Sequence, residues 1–209
     1  MANSQTQIIN KALVLCGAST VISINDNSPN AIALSNVYEL SLQSVLSECK
    51  WNFCTTRTKP SVVASSSTTY PAFLNANEIV VYTLPVGVIR IWETSPSNAR
   101  IREESGQLIS DSVNLGITYT FYDDNPNDYP NYFLDAFIDK LCSDIAYLII
   151  NSVQVAEAFI KKYETVSLPK AMSANSQTGV QQTPRDGAWT NAKYYNDGYY
   201  DPSMGAVAQ

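Results

Sequence analysis

"SECKWNFCTTRTK", residues 47–59, places a tryptophan, a phenylalanine, two cysteines and three cations within thirteen positions. One periodicity ends here and another begins. Upstream, Leu34, Val37, Tyr38, Leu42, Val45 and Leu46 recur at helical spacing. Downstream come β-formers broken by Pro60, the composition of an edge strand or extended segment. The stretch therefore reads as the exit of a helix into a block of strands. A large aromatic at such a junction wedges one layer against the other, so Trp51 and Phe53 are expected to form a structural corner, with Arg57 and Lys59 as exposed strand charges. A metal or redox reading lacks partners: Cys49 and Cys54 are five apart, not in a CxxC spacing, and the chain has no histidine.

That absence excludes Ser-His-Asp and Cys-His chemistry within the chain. The 209 residues are long enough to bury a core, and 45% of them are hydrophobic. Only 15% are charged, below the usual share of about a quarter. Ser, Thr, Asn, Gln and Tyr must then cover much of the surface, which suits a protein held inside an assembly. The net charge of −6 disfavours steering towards DNA or an anionic membrane. Cys16, Cys49, Cys54 and Cys142 are scattered and make no disulfide framework, so reduced thiols are expected. The start, MANSQTQIINKA, has no basic region followed by an apolar run, and the longest apolar helical stretch, 145–150, is far short of a membrane span. A soluble protein made in a cytoplasm is expected, without cofactor or metal.

Ser4 and Gln7 form a capping box, and Ile8, Ile9, Ala12, Leu13 and Cys16 then share one helical face up to Gly17. The second helix is capped by Ser28, with Pro29 at its first position, and runs to about Lys50. Strand patterns follow at 79–84, at 88–92, on both sides of Glu104-Ser105-Gly106, and at 116–122. Helix returns at Pro130, where Phe133, Leu134, Phe137, Ile138, Leu141, Ile145, Leu148 and Ile149 make a wide apolar face suited to a central position. A fourth helix after Asn151-Ser152 carries Ala156, Phe159, Ile160 and Tyr163 and fades before Pro169. The expected class is α+β. Residues 1–50 and 129–170 form a helical bundle from both chain ends. Residues 51–128 form an inserted, mostly antiparallel β-module, and 171–209 an extended C-terminal arm. The arm is polar, yet Trp189, Tyr194, Tyr195, Tyr199 and Tyr200 read as anchors that order on a partner.

Three chemical readings are weighed and set aside. "DDNPND", 123–128, matches the early positions of a calcium loop but has Asp128 where glycine is needed and Leu134 where a bidentate glutamate is needed. It reads instead as a strand-to-helix turn with Asp128 helping to terminate the helix. Glu103 and Glu104 sit beside a turn, where a hydrolase pair would need a cleft and a desolvated partner. The thirteen tyrosines and three tryptophans could stack on sugars, but many fall on core stripes. A carbohydrate-binding module or a carboxylate-based cell-wall hydrolase stays as the alternative.

The order of features resembles the tail tubular protein A family of short-tailed bacteriophages. The similar elements are Leu15 to Gly17, Asp26 to Ser28, Tyr38, Trp51 to Phe53 and Thr56-Arg57. "YTLPVGVIRIWE" and "YPNYFLDAFIDKLCSDIAYLI" follow. Cys54 and Thr56 stand where the family has small alanines, and Lys170 to Ser173 depart from its pattern after the fourth helix. The resemblance implies a head-to-tail adaptor in the virion neck, not an enzyme. Copies would form a ring, typically a dodecamer, under the portal protein. They would carry the tail nozzle protein and possibly fibres, and line part of the DNA channel. The arm would reach the portal.

Overall fold

The computed structural model describes residues 4–24, 29–64, 75 and 78–179. Ser28, and the arm residues Trp189, Tyr194, Tyr195, Tyr199 and Tyr200, lie outside the described residues.

Helix α1 (Gln5–Leu15) opens on the capping box. The Ser4 hydroxyl accepts from the Gln7 N–H at 3.2 Å, and the Ser4 N–H donates to Gln7 Oε1 at 3.1 Å. It closes on Gly17, whose φ of 78° is left-handed. The Ala18 N–H reaches back to the Leu13 carbonyl at 2.8 Å and the Gly17 N–H to Val14 at 3.0 Å, so a Schellman turn satisfies two orphan carbonyls. The chain then doubles back. Both hydrogen bonds between the Asn10 carboxamide and the Val21 backbone are 2.9 Å. Helix α2 (Pro29–Glu48) buries Leu34, Val37, Tyr38, Leu42, Val45 and Leu46.

Helix α3 (Asn131–Ile145) packs against α1, α2, α4 (Val153–Lys162) and α5 (Leu168–Gln177). Phe133 and Phe137 lie at the centre of the shared core with Ile9, Leu13, Tyr38 and Trp51. The apolar stripe expected to run through Leu148 stops short. A π-helical turn over Ala146–Ile150 adds a residue to the turn and rotates the following side chains, so Leu148 is 60% exposed and Tyr147 62%. Asn151 ends it in the left-handed region at φ 54°, and Ser152 caps α4.

Residue 171, expected to open the arm, lies inside helix α5. A second π turn, Tyr163–Ser167, joins α4 to α5, with the Leu168 N–H bonded to the Tyr163 carbonyl. The ladder has already shifted there, and Pro169, in the first turn of α5, lacks an N–H that the helix start does not use. Helix therefore continues past the proline, and Ala171 and Asn175 are buried.

The strands form two antiparallel sheets. Sheet order is β1-β7-β4 in one and β2-β3-β6-β5 in the other. They comprise β1 (Thr55–Thr58), β2 (Val62–Ala64), β3 (Val80–Thr83), β4 (Val88–Ser95), β5 (Ile101–Glu104), β6 (Gln107–Ser110) and β7 (Gly116–Phe121). Among the described residues the chain changes sheet four times, including at the breakers Pro60, between β1 and β2, and Pro85 to Gly87, between β3 and β4. β5 and β6 form a hairpin through Ser105 and Gly106, both at positive φ, which matches the right-handed strand twist. A second core lies between the sheets, with Val80, Tyr82, Leu108, Ile117 and Tyr119. β7 is central in its sheet, so its alternation is hidden: Thr118 and Thr120 are buried along with Ile117 and Tyr119.

Gly17 tests the α1 terminus alone, because a Cβ there would meet nothing within 4 Å. Gly17→Ala should cost about 1 kcal/mol from the left-handed backbone. Urea unfolding should show a lower midpoint with unchanged slope.

Candidate functional site

The corner at 49–54 is built from three directions. α2 ends at Glu48, the Trp51 N–H turns back to the Cys49 carbonyl at 3.0 Å, and a 3₁₀ turn over Asn52–Cys54 leads into β1. Trp51 has no exposed surface and its indole N–H donates to the Val45 carbonyl at 2.8 Å. Its ring meets Phe133 edge-on at 5.1 Å and stacks with Tyr132 at 6.5 Å. Phe53 meets Phe133 at 4.8 Å and Tyr129 at 5.9 Å. The residues singled out in the sequence thus lie against the start of α3. Arg57 and Lys59 are exposed.

From β4, Arg90 donates to the Ser47 carbonyl at 3.0 Å while its guanidinium lies 4.4 Å from the Trp92 ring centre. Lys50 pairs with Glu93 at 2.6 Å, and this hydrogen bond holds the Glu93 carboxyl below its ordinary range. From α5 comes Asn175, only 4% exposed. Its Nδ2 donates to the Lys50 carbonyl at 2.8 Å, and its Oδ1 accepts from the Asn52 N–H at 2.9 Å and from the Tyr132 hydroxyl at 3.4 Å. Asn52 returns the contact, donating through Nδ2 to the Asn175 carbonyl at 2.8 Å and to Thr178 Oγ1 at 2.7 Å. Sequence reasoning missed Asn175, which sits among small polar residues assigned to the arm. Its only local signal is its placement four residues after Ala171, on one helical face.

Two buried or half-buried acids of α3 are tied to other helices. Asp139 accepts from Lys162 at 2.8 Å and from the Ser167 hydroxyl, and so holds the α4–α5 junction. Asp144 accepts from Lys140 at 2.9 Å and from Ser41 of α2. In the 123–128 turn, the carboxylate oxygens are used within the turn itself. Asp123 Oδ1 accepts from the Asn125 N–H at 3.1 Å and Asp128 Oδ2 from Asn125 Nδ2 at 2.8 Å. Asp128 does not cap α3, whose N-cap is Pro130 without a side-chain bond; the proline already fixes the entry of the chain, and Asp128 serves the turn. Among the described residues no group of three or more His, Cys, Asp or Glu could hold a metal ion.

A cleft of about 380 Å³ runs between α2 and the end of α3, lined by Val37, Leu40, Ser41, Tyr147 and Leu148 with the Lys140–Asp144 pair. Another of about 770 Å³ lies along β1, β4 and β7 beside Arg57, Lys59 and Glu93. Neither is lined by Asp123, whose carboxyl is raised by burial, partly offset by the Asn125 hydrogen bond. Glu104 is paired with Arg102 at 3.1 Å on the exposed hairpin, and Glu103 beside it is exposed. Among the described tyrosines Tyr38, Tyr82, Tyr119, Tyr129 and Tyr163 are buried, so they do not join Tyr147 in a stacking row. Among the described residues no helix is long and apolar enough to cross a membrane.

Asn175→Ala removes both sides of the carboxamide clamp and leaves two part-buried backbone groups without their partner. It should cost about 2 kcal/mol in urea unfolding and loosen α5 first in hydrogen exchange, with Asn52→Ala milder. Asp123 carries the opposite sign of pH linkage from a paired carboxylate. Its raised folded pKa gives stability at low pH that is lost as pH rises through that value. Asp123→Asn should therefore raise the urea midpoint at neutral pH, and the gain should vanish below the ordinary value of 3.8. No protein-family model and no curated protein matches this sequence.

Proposed function

We propose that this chain is a head-to-tail adaptor of a short-tailed bacteriophage, acting as a structural part of the virion neck and not as an enzyme. Copies assemble into a ring, a dodecamer as in the family it resembles. The helices of the two chain halves act as one bundle that packs side by side with its neighbours. The sheets face away from the head, towards the tail nozzle protein and its fibres. Residues 180–209, with Trp189, Tyr194, Tyr195, Tyr199 and Tyr200 as anchors, reach the portal protein. DNA passes through the ring as cargo, and the net charge of −6 suits a wall that must not hold phosphates.

The observation that carries this reading is the ordered set of similar motifs from Leu15 to the α3 sequence. The outer surface adds support. Leu40, Tyr147 and Leu148 are 69%, 62% and 60% exposed around one cleft between α2 and α3. Clustered apolar side chains of this kind mark surfaces that another molecule covers. A head-to-tail contact between copies closes into a ring when its rotation allows.

The test is mass measurement of the chain alone and with the portal protein of the same phage. A ring bound to portal is expected. Leu40→Asp with Tyr147→Asp should leave folded subunits that do not assemble. Deletion of 180–209 should leave helical circular dichroism intact and abolish attachment to portal. A full-length chain that remains a monomer beside portal, or a truncated one that still attaches, overturns the reading.

A further inference from the structure

Two of the four cysteines meet across the contact between α1 and α3. Cys16 is the C-terminal cap of α1, and Cys142 lies in the last turn of α3. Ala12, fully buried, lets the two backbones approach. The Cys142 thiol donates to the Ala12 carbonyl at 3.6 Å, and the Cys16 N–H donates to that same carbonyl at 3.0 Å. In return the Cys16 thiol donates to the Cys142 carbonyl at 3.4 Å. The Cys16 sulfur is thus held at the Cys142 backbone, and the Cys142 sulfur at the Ala12 carbonyl that the Cys16 N–H shares. The second pair differs. Cys54 is buried with its thiol towards the Trp51 carbonyl at 3.8 Å, and the Cys49 sulfur accepts from the Asn175 amide at 3.9 Å.

We propose that Cys16 and Cys142 form an intramolecular disulfide when the folded chain meets a small-molecule disulfide such as oxidised glutathione. Cys16 is half-buried and is the thiol a small oxidant reaches; Cys142 is buried and closes the bond. The Cys16 thiolate attacks one oxidant sulfur and releases the first glutathione thiolate. The Cys142 thiolate then attacks the Cys16 sulfur of the mixed disulfide and releases the second. Two protein thiols are oxidised, one oxidant disulfide is reduced, and the two protons end on the two glutathione thiols. Burial raises both cysteine thiols, which makes the exchange slow without preventing it. A reducing cytoplasm keeps the pair open and an oxidising medium closes it. The inference does not rest on what the chain assembles with.

The test treats the full-length reduced protein, under native conditions, with oxidised glutathione, then blocks free thiols and maps peptides without reduction. A Cys16–Cys142 linked peptide, lighter by two hydrogens, is expected, with Cys49 and Cys54 still blocked. The linked monomer should melt higher than the reduced one, because the bond joins positions 126 apart in sequence. Cys142→Ala should hold glutathione on Cys16 as a lasting adduct, and Cys49→Ser with Cys54→Ser should leave the cross-link intact. Absence of the linked peptide in the wild-type protein overturns the proposal, whether or not the variants fold. So does a Cys49–Cys54 product, a covalent dimer, or linkage that appears only in denaturant.

Discussion

A helix that ends inside a protein leaves carbonyls that must find donors, and the rest of this fold depends on how α2 finds them. Glycine often solves the problem locally, as Gly17 does for α1. At 47–52 there is no glycine. Trp51 serves the Val45 carbonyl from close by, and two further donors come from far along the chain: Arg90 for the Ser47 carbonyl and Asn175 for the Lys50 carbonyl. The requirement to satisfy one helix end thus ties β4 and α5 to the same place. A carboxamide suits the task because it donates and accepts in one plane, so one side chain serves both the Lys50 carbonyl and the Asn52 N–H.

This explains what the sequence disclosed and what it hid. Features set by local periodicity were legible: the capping box at Ser4, the stripes of α1 and α2, and the turn at Ser105-Gly106. The α+β class followed from their order. Features set by long-range satisfaction were not. Asn175 belongs to a segment whose composition reads as tail, and nothing within ten residues reveals that its amide serves residues 50 and 52. Proline 169 misled for a related reason. The rule that proline stops a helix assumes an unbroken ladder, and the π turn before it had already changed the ladder.

The two sheets were hidden by a different effect. Alternation tells which residues share a face, but not whether the other face is also covered. β3 and β7 bury both sets, as the Val81–Ile109 pair and Thr118 with Thr120 show. Once both faces are buried, polar side chains must pair, and the Trp92 indole N–H does so with Thr120 Oγ1 at 2.7 Å. Phe121, at the end of β7, packs against both the helical core and the sheet core, so the two are mechanically joined at the strand that neither face exposes.

The distribution of charge then bears on how the surface is used. A chain with 15% charged residues has few to place. Several are committed to holding elements together: Asp139 with Lys162, Glu93 with Lys50, Glu78 with Arg102, and Asp144 with Ser41 of α2. The face between α2 and the end of α3 is left with Leu40, Tyr147 and Leu148 outward and one ion pair at its side. The same π turn that breaks the α3 stripe is what turns Tyr147 and Leu148 outward. A local irregularity that gives up core burial and creates an apolar surface is costly to a lone monomer in water. Covering that surface, as the proposed neighbouring subunit would, recovers the lost burial.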